Sequence, residues 1–229
     1  MGDRTREPQY QRCVQLREAG RVDRLGLMSN QGWHDDPKRL LFTLARYKFV
    51  AKMLSGRKNV LEVGCADAFG TRVVVQEVQH VTATDFDPVF IADVQERMDE
   101  EWAFDCFVHD MLSGPVSGSF DAAYALDVIE HIAPAQEDLF LRNLLASLVP
   151  DSVVILGTPS RASEAYASPP SREGHVNLKD APALRDLMER YLKHVFLFSM
   201  NDEVVHTGFY PMAHYYLALG CQVKERPNG

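Results

Sequence analysis

Short unbroken apolar runs alternate along this chain with longer stretches in which apolar residues recur at helical spacing. Such runs are typical of strands buried on both faces of a parallel sheet, and the longer stretches are typical of helices packed against it. We therefore predict an α/β fold with a Rossmann-like, doubly wound sheet and helices on both faces. The seven runs predicted as strands are 59–63, 81–85, 104–110, 120–126, 152–157, 194–200 and 213–219.

The stretches with helical spacing are bounded by residues that commonly begin or end helices. Pro37 and Pro88 stand at predicted first turns, Asp87 and Asp180 at predicted N-caps, and Gly20 at a predicted C-terminus. Two other segments, 21–33 and 160–174, lack this periodicity and are predicted as loops. The predicted helices are 10–20, 37–55, 69–78, 88–98, 134–148 and 181–191.

The segment from Val60 to Gly70, VLEVGCADAFG, is the most informative turn in the chain. A buried strand ends at Gly64, small residues follow, and a helix begins. Small residues let the backbone approach a ligand closely, and the helix offers free N–H groups at its start. This order predicts the opening of a nucleotide-binding domain.

The same segment resembles motif I of class I S-adenosylmethionine (SAM) methyltransferases, an acidic residue followed by Gly-x-Gly-x-Gly. Glu62, Gly64, Ala66 and Ala68 occupy those positions, so alanine replaces two of the three glycines. The resemblance covers about residues 36–220 and includes features of the UbiE/UbiG-like small-molecule group. It implies SAM as the cofactor, a last strand that is antiparallel, and cofactor contacts from Glu62, Gly64, Cys65 and Ala66. It also divides the chain into an extension, 1–35, and a methyltransferase domain, 36–229.

Two further acidic residues stand where the family contacts the nucleoside of SAM. Asp85 ends the second predicted strand about 20 residues after the glycine turn, the spacing of a carboxylate that binds ribose hydroxyls. The resemblance implies that Asp110 accepts a hydrogen bond from the adenine amino group. Phe86 and Met111, the residues that follow them, are expected beside the cofactor.

The fourth predicted strand ends in DVIEHIAP, the second informative segment. Asp127 lies at the carboxyl end of a central strand, where open α/β sheets place their chemistry. Should the chain turn helical there, Asp127, Glu130 and His131 would share one face. Asp127 is expected at both the cofactor and the acceptor, and His175 is expected near the acceptor.

Three interpretations of this segment remain open. In the first, His131 is a general base oriented by Glu130 or Asp127, since an imidazole titrates near neutral pH. In the second, Asp127, Glu130, His131 and His175 hold a divalent metal, because the segment resembles the Glu-x-x-Glu-His plus distant His pattern of metal-dependent members. In the third, Asp127 caps the turn, Glu130 is solvated and His131 is structural.

The candidate acceptor-side residues outside this segment have weaker support. Trp33, Arg46 and Tyr47 precede motif I, but a core tyrosine and a solvated arginine are the favoured interpretation of the last two. The loop between the last two predicted strands also falls on this side. Its candidate residues are His206, Tyr210 and His214.

Composition narrows the function further. The net charge of −8 argues against a nucleic-acid partner. No apolar run approaches the roughly 20 residues of a membrane span, and the polar N-terminus does not resemble a signal peptide. Four scattered cysteines suggest free thiols and a cytoplasmic location. A homodimer is compatible with the sequence.

These observations predict a SAM-dependent methyltransferase that transfers a methyl group to a small molecule, at the hydroxyl of a sugar or secondary metabolite. The alternatives are a metal-assisted or N-directed enzyme acting on RNA or protein, and a SAM-binding protein without catalysis.

Overall fold

The computed structural model describes residues 3–167 and 169–224, which form a mixed sheet with helices on both faces. The strands are β1 Asn59–Val63, β2 His80–Asp85, β3 Asp105–Val108, β4 Phe120–Leu126, β5 Leu148–Pro159, β6 Leu192–Asn201, β7 Val204–His206 and β8 Tyr215–Val223. The helices are α1 Gln11–Glu18, α2 Leu27–Asp35, α3 Lys38–Met53, α4 Thr71–Val75, α5 Pro88–Arg97, α6 Glu137–Ala146, α7 Pro169–Gly174 and α8 Ala181–Glu189.

The sheet has the order β3-β2-β1-β4-β5-β8-β6-β7. The first five strands pair in parallel, whereas β8 lies antiparallel between β5 and β6. The doubly wound α/β prediction and the antiparallel last strand are confirmed. The predicted count of seven strands is wrong, because the short strand β7 pairs with the end of β6 and adds an eighth.

The core consists of two layers, one on each face of the sheet. One layer packs α6 and α8 against the strands, and the other packs α3 and α4 against them. Strand β4 contributes to both layers: Ala123 and Ala125 face one and Ala122 and Tyr124 the other. This burial on both faces explains why its sequence is a nearly continuous apolar run.

Two segments predicted as loops contain helices. Residues 21–33 include most of α2, whose N-terminal residues are held by polar contacts to other elements. Residues 160–174 include a 3-10 helix, Arg161–Tyr166, and then α7. Neither segment has a strong apolar stripe, so hydrophobic periodicity did not mark them as helical.

Among the described residues, no helix combines the length and apolar character that a membrane crossing requires.

Candidate functional site

The turn after β1 has a strained backbone at the carboxyl edge of the sheet. Gly64, Ala66 and Ala68 all have left-handed conformations, with φ of 74°, 46° and 49°. Glycine adopts this region freely, whereas each alanine costs roughly 1 kcal/mol. The turn keeps the left-handed backbone of a glycine-rich loop although two of its glycines are replaced.

Asp85, at the end of β2, holds this turn in place. Its Oδ2 accepts the N–H of Ala66 at 2.8 Å, and its Oδ1 accepts the N–H of Asp87 at 2.9 Å. Each carboxylate oxygen has a second lone pair that these bonds leave free. The next side chain, Phe86, is 73% exposed beside this carboxylate. Asp87 caps α5 by accepting from Val89 N, as predicted.

Glu62 lies beneath the turn. The carboxylate is buried and accepts hydrogen bonds from the hydroxyls of Tyr47, Thr71 and Tyr124, at 2.8, 2.6 and 2.7 Å. Burial raises the pKa of Glu62 to about 7, even though the three hydroxyl donors favour the charged form. The structure therefore places Glu62 as a support of the turn, with its hydrogen bonds directed into the core. Tyr47 is a core residue, as the favoured interpretation held.

Three further predicted cofactor residues lie along the same edge. Asp110 is exposed beyond β3, and its Oδ1 accepts from Leu112 N at 2.8 Å. Met111 is buried in the core, and its carbonyl accepts from Asn143. Cys65 is buried, and the neighbouring Cys106 thiol together with burial raises its pKa, so it remains a neutral thiol. All four cysteines are free thiols.

Asp127 follows β4 in a left-handed conformation, with φ of 57°. Its Oδ2 accepts from Arg46 Nη1 at 2.6 Å, and the Arg46 guanidinium lies 3.8 Å from the ring centroid of Tyr215. The favoured interpretation of Arg46 as a solvated surface charge is therefore wrong, because its side chain is only 18% exposed. The structure brings α3, the end of β4 and the start of β8 together at this point.

Glu130 and His131 lie in a single 3-10 turn, Ile129–His131, and the predicted α-helical face does not form. Glu130 is wholly buried, which contradicts the solvated interpretation. Its Oε2 accepts from Thr158 at 3.0 Å, but its buried Oε1 has no hydrogen-bond partner among the described residues. Burial, and next the charge of Asp127, raises the pKa of Glu130 to about 8.

His131 and His175 complete a cluster with Glu130. One ligand atom from each residue lies within 4.8 Å of the others, and the two imidazole centroids are 5.1 Å apart. His131 Nδ1 is 2.9 Å from the Gly174 carbonyl, which can only accept, so Nδ1 carries the proton. Burial and the neighbouring His131 lower the pKa of His175. Asp127, which pairs with Arg46, does not join this cluster.

The other acceptor-side candidates are spread over the periphery. Trp33 is half exposed on α2. His206 is bonded to Asn201 through its ring at 2.8 Å, and Tyr210 packs its ring edge against Tyr216. His214 is exposed, and its carbonyl accepts from Ser160 N. The described contacts therefore bring none of these four into the cluster.

Chemically, the cluster offers two imidazoles and one buried carboxylate oxygen that has no hydrogen-bond partner in the described part of the chain. A neutral histidine whose Nδ1–H is tied to a carbonyl presents a lone pair at Nε2. A buried carboxylate of this kind binds either a proton or a cation. The arrangement can accept a proton from a substrate, and its donor set also suits a divalent metal.

Comparisons with known proteins bear on the fold of the chain. Residues 60–151 match a family model described as a methyltransferase domain. No curated protein sequence matches the chain.

Solved structures share the fold at low sequence identity. The N-methyltransferase NodS from Bradyrhizobium japonicum WM9, in complex with S-adenosyl-l-homocysteine, has a TM-score of 0.60 at 19% identity, over 83% of this chain and 90% of that one. The methyltransferase domain of bacterial CtHen1-C has a TM-score of 0.65 at 16% identity, and the match covers 79% of this chain and 98% of that one. A TehB-like SAM-dependent methyltransferase from Corynebacterium glutamicum ATCC 13032 has a TM-score of 0.59 at 17% identity, and the match covers 93% of this chain and 96% of that one. The chain therefore shares the fold of solved SAM-dependent methyltransferases, and residues 60–151 within that fold match the model of a methyltransferase domain.

Proposed function

We propose that this enzyme methylates a hydroxyl group of a small molecule, and that Glu130, His131 and His175 form the centre that activates the acceptor. The observation that carries the proposal is the buried Glu130 Oε1, which lacks a partner among the described residues while two imidazoles lie within 4.8 Å. An amine acceptor already has its lone pair once it is neutral. A hydroxyl needs a base or a metal to become nucleophilic, and this cluster supplies such groups.

The proposed binding site for SAM consists of the turn after β1 and the neighbouring strand ends. Gly64, Cys65 and Ala66 would offer their backbone, and the free lone pairs of Asp85 would accept from the ribose hydroxyls. Phe86, Asp110 and Met111 are proposed beside the adenine, and Asp127 beside the methionine part. SAM supplies an activated methyl group on a sulfonium. The protein then has to hold the acceptor in line with the S–CH₃ bond.

Within this proposal, His131 takes the proton of the acceptor hydroxyl at Nε2, because its Nδ1–H is tied to Gly174. His175 stays neutral near physiological pH, since its pKa is lowered, and it offers a second lone pair to the same space. The Glu130 carboxylate, when charged, stabilises the imidazolium that forms. The acceptor oxygen is thereby freed for attack on the methyl carbon.

The residues of the cluster also fit a divalent cation. Glu130 Oε1, His131 and His175 would hold it, and the orphaned carboxylate oxygen is the observation that favours this fit. Such a cation would lower the pKa of an acceptor hydroxyl. The predicted fourth ligand, Asp127, is not part of this proposal because its Oδ2 already pairs with Arg46.

The small-molecule acceptor is supported by the net charge of −8, which disfavours a polyanionic substrate. A cytoplasmic enzyme is supported by four free thiols. Residues 1–35 are proposed as a cap segment on the domain 36–229. Its support is the contact between Ser29, in α2, and Asp67, in the turn after β1, where Asp67 Oδ2 accepts from Ser29 N at 2.6 Å.

The acceptor assignment is tested with pairs of aromatic and sugar compounds that differ only in a hydroxyl or an amino group. Release of S-adenosylhomocysteine is measured for each pair. We expect turnover with hydroxyl members, and a His131→Gln enzyme at least about 100-fold slower with unchanged affinity for S-adenosylhomocysteine. His80→Gln is the matched control, because His80 is exposed and hydrogen bonded to Asp105 at the amino ends of β2 and β3, opposite the edge that carries the proposed site. Turnover confined to amines, or to RNA oligonucleotides at low salt, would contradict the proposal.

The proposed cofactor-binding site and the proposed cation site are tested in separate experiments. Asp85→Asn should weaken S-adenosylhomocysteine binding about 10-fold or more, whereas Asp105→Asn should not. Calorimetric titration with Mg²⁺, Mn²⁺ and Zn²⁺ should show one site that Glu130→Gln abolishes. If the protein binds none of the three ions, the proposed cation is contradicted, and His131 is left as the group that activates the acceptor.

A further inference from the structure

The segment that carries His175 is attached to the 3-10 turn by its backbone. The carbonyl of Glu130 accepts from both Val176 N, at 2.9 Å, and Asn177 N, at 3.0 Å. The Gly174 carbonyl accepts from His131. The His175 ring itself has no hydrogen bond to another described side chain. Its position therefore depends on how firmly the residues on either side are held.

A buried polar network fixes the C-terminal side of His175. Asn177 Nδ2 donates to Glu137 Oε2 at 2.9 Å, and Lys179 Nζ donates to Asn177 Oδ1 at 2.8 Å. Lys179 Nζ also pairs with Glu137 Oε2 at 2.5 Å, and their side chains are only 9% and 13% exposed. Glu137 begins α6, so this network connects the His175 segment to a rigid helix.

A buried polar network of this kind often stabilises a fold less than apolar residues in the same place would. Burying an ammonium and a carboxylate carries a large desolvation cost, and apolar residues of similar size often stabilise a fold as well or better. Hydrogen bonds, unlike apolar contacts, have narrow preferred distances and angles. The network is thus suited to fixing the geometry of the segment, which is what an activating imidazole requires.

We propose that Asn177 and Lys179, anchored on Glu137, are positioning residues that hold the His175 imidazole beside Glu130 and His131. The catalytic consequence rests on the proposed function, but the positioning itself does not. Arg190 also pairs with Glu137, at 3.0 Å, but its side chain is 54% exposed, and it is not hydrogen bonded to Asn177 or Lys179 among the described residues. It provides the matched control.

The test uses the full-length protein with isotope-labelled histidine. The inter-ring nuclear Overhauser effect between His131 and His175 reports their proximity without any turnover. In Asn177→Leu and Lys179→Met we expect this signal to weaken strongly. We also expect kcat to fall about 10-fold or more, while the Kd for S-adenosylhomocysteine changes less than about twofold. Arg190→Met should leave all three unchanged. Asn177→Ala, which adds no bulk, replaces the leucine variant if that one fails to fold.

An inter-ring signal that persists at full strength in the folded Asn177 and Lys179 variants would overturn the positioning role. A lost signal with unchanged methyl transfer would support the positioning role and contradict the catalytic part that the proposed function gives to His175. Equal loss of signal in Arg190→Met would also overturn the proposal, because it would show that any change at Glu137 releases the segment.

Discussion

Arg46 and Asp127 form an ion pair across 81 positions of sequence, with 2.6 Å between Nη1 and Oδ2. The pair joins α3 to the end of β4, and the Arg46 guanidinium rests on the ring of Tyr215 from β8. Arg46 is 18% exposed and Asp127 38% exposed, so solvent screens the pair only partly. Three separate elements meet at this contact beside the proposed acceptor site.

Arg46→Met tests this contact, because methionine keeps an apolar stem over Tyr215 and removes the charge. We expect the free energy of unfolding to fall by about 1–3 kcal/mol, since Asp127 keeps its charge and loses its partner. Methyl transfer should fall as well. Urea denaturation and steady-state kinetics measure the two effects.

Arg24→Met is the control for that substitution. Arg24 pairs with Glu96 on the exposed surface, at 2.8 Å, and its removal should leave stability nearly unchanged because solvent screens the pair. Equal effects of the two substitutions would contradict the structural role assigned to Arg46.

Glu62 should make the stability of the folded protein depend on pH. The folded protein keeps the proton of this carboxyl up to about pH 7, whereas the unfolded chain releases it near 4.5. The folded state therefore binds more protons in this interval. The stability that Glu62 contributes is full below pH 4.5 and is lost as the pH rises through 7, by roughly 3 kcal/mol.

The pH effect is measured as the difference between wild type and Glu62→Gln, which cannot ionise. The wild-type unfolding free energy should decline more steeply from pH 4.5 to 8 than that of the variant. Taking the difference removes the contribution of Glu130, which is present in both proteins. Parallel curves would show that the pKa of Glu62 is the same in the folded and unfolded states, which contradicts the prediction.

Ala66→Gly should stabilise the protein or leave it unchanged. Glycine relieves the left-handed strain at φ 46°, and this gain of about 1 kcal/mol outweighs or offsets the extra freedom of the unfolded chain. The control is Ala45→Gly in α3, which should lose about 1 kcal/mol because helix interiors disfavour glycine. Thermal unfolding compares the two, and a loss at both positions would mean that the turn carries no strain.

Gly70→Ala should be strongly destabilising. A Cβ at this position would lie 2.2 Å from the Tyr47 ring, which is held in place by its hydrogen bond to Glu62. We expect a loss of about 2 kcal/mol or more, since neither the ring nor the backbone can move freely. Gly32→Ala in α2 meets open space and should stabilise by up to about 1 kcal/mol. Chemical denaturation measures the stability of both variants. A Gly70→Ala protein as stable as the wild type would contradict the prediction.

The sequence by itself determined most of the strands and helices and the position of the turn after β1. Strand β4 and the cap residues Asp87 and Asp180 lie where they were predicted. These features depend on contacts between residues a few positions apart, namely side-chain periodicity and capping hydrogen bonds. Such contacts can be read from the order of residues.

Only the tertiary structure decided the partners of the buried polar groups. Glu62 accepts hydrogen bonds from hydroxyls on three elements, and Arg46 pairs with Asp127. Glu130 is buried, which excludes the solvated alternative among the three interpretations that the sequence left open. The position of β8 between β5 and β6 was likewise unreadable from the order of the strands. Each of these contacts joins residues far apart in the chain, and their energy depends on burial that exists only once the layers have packed.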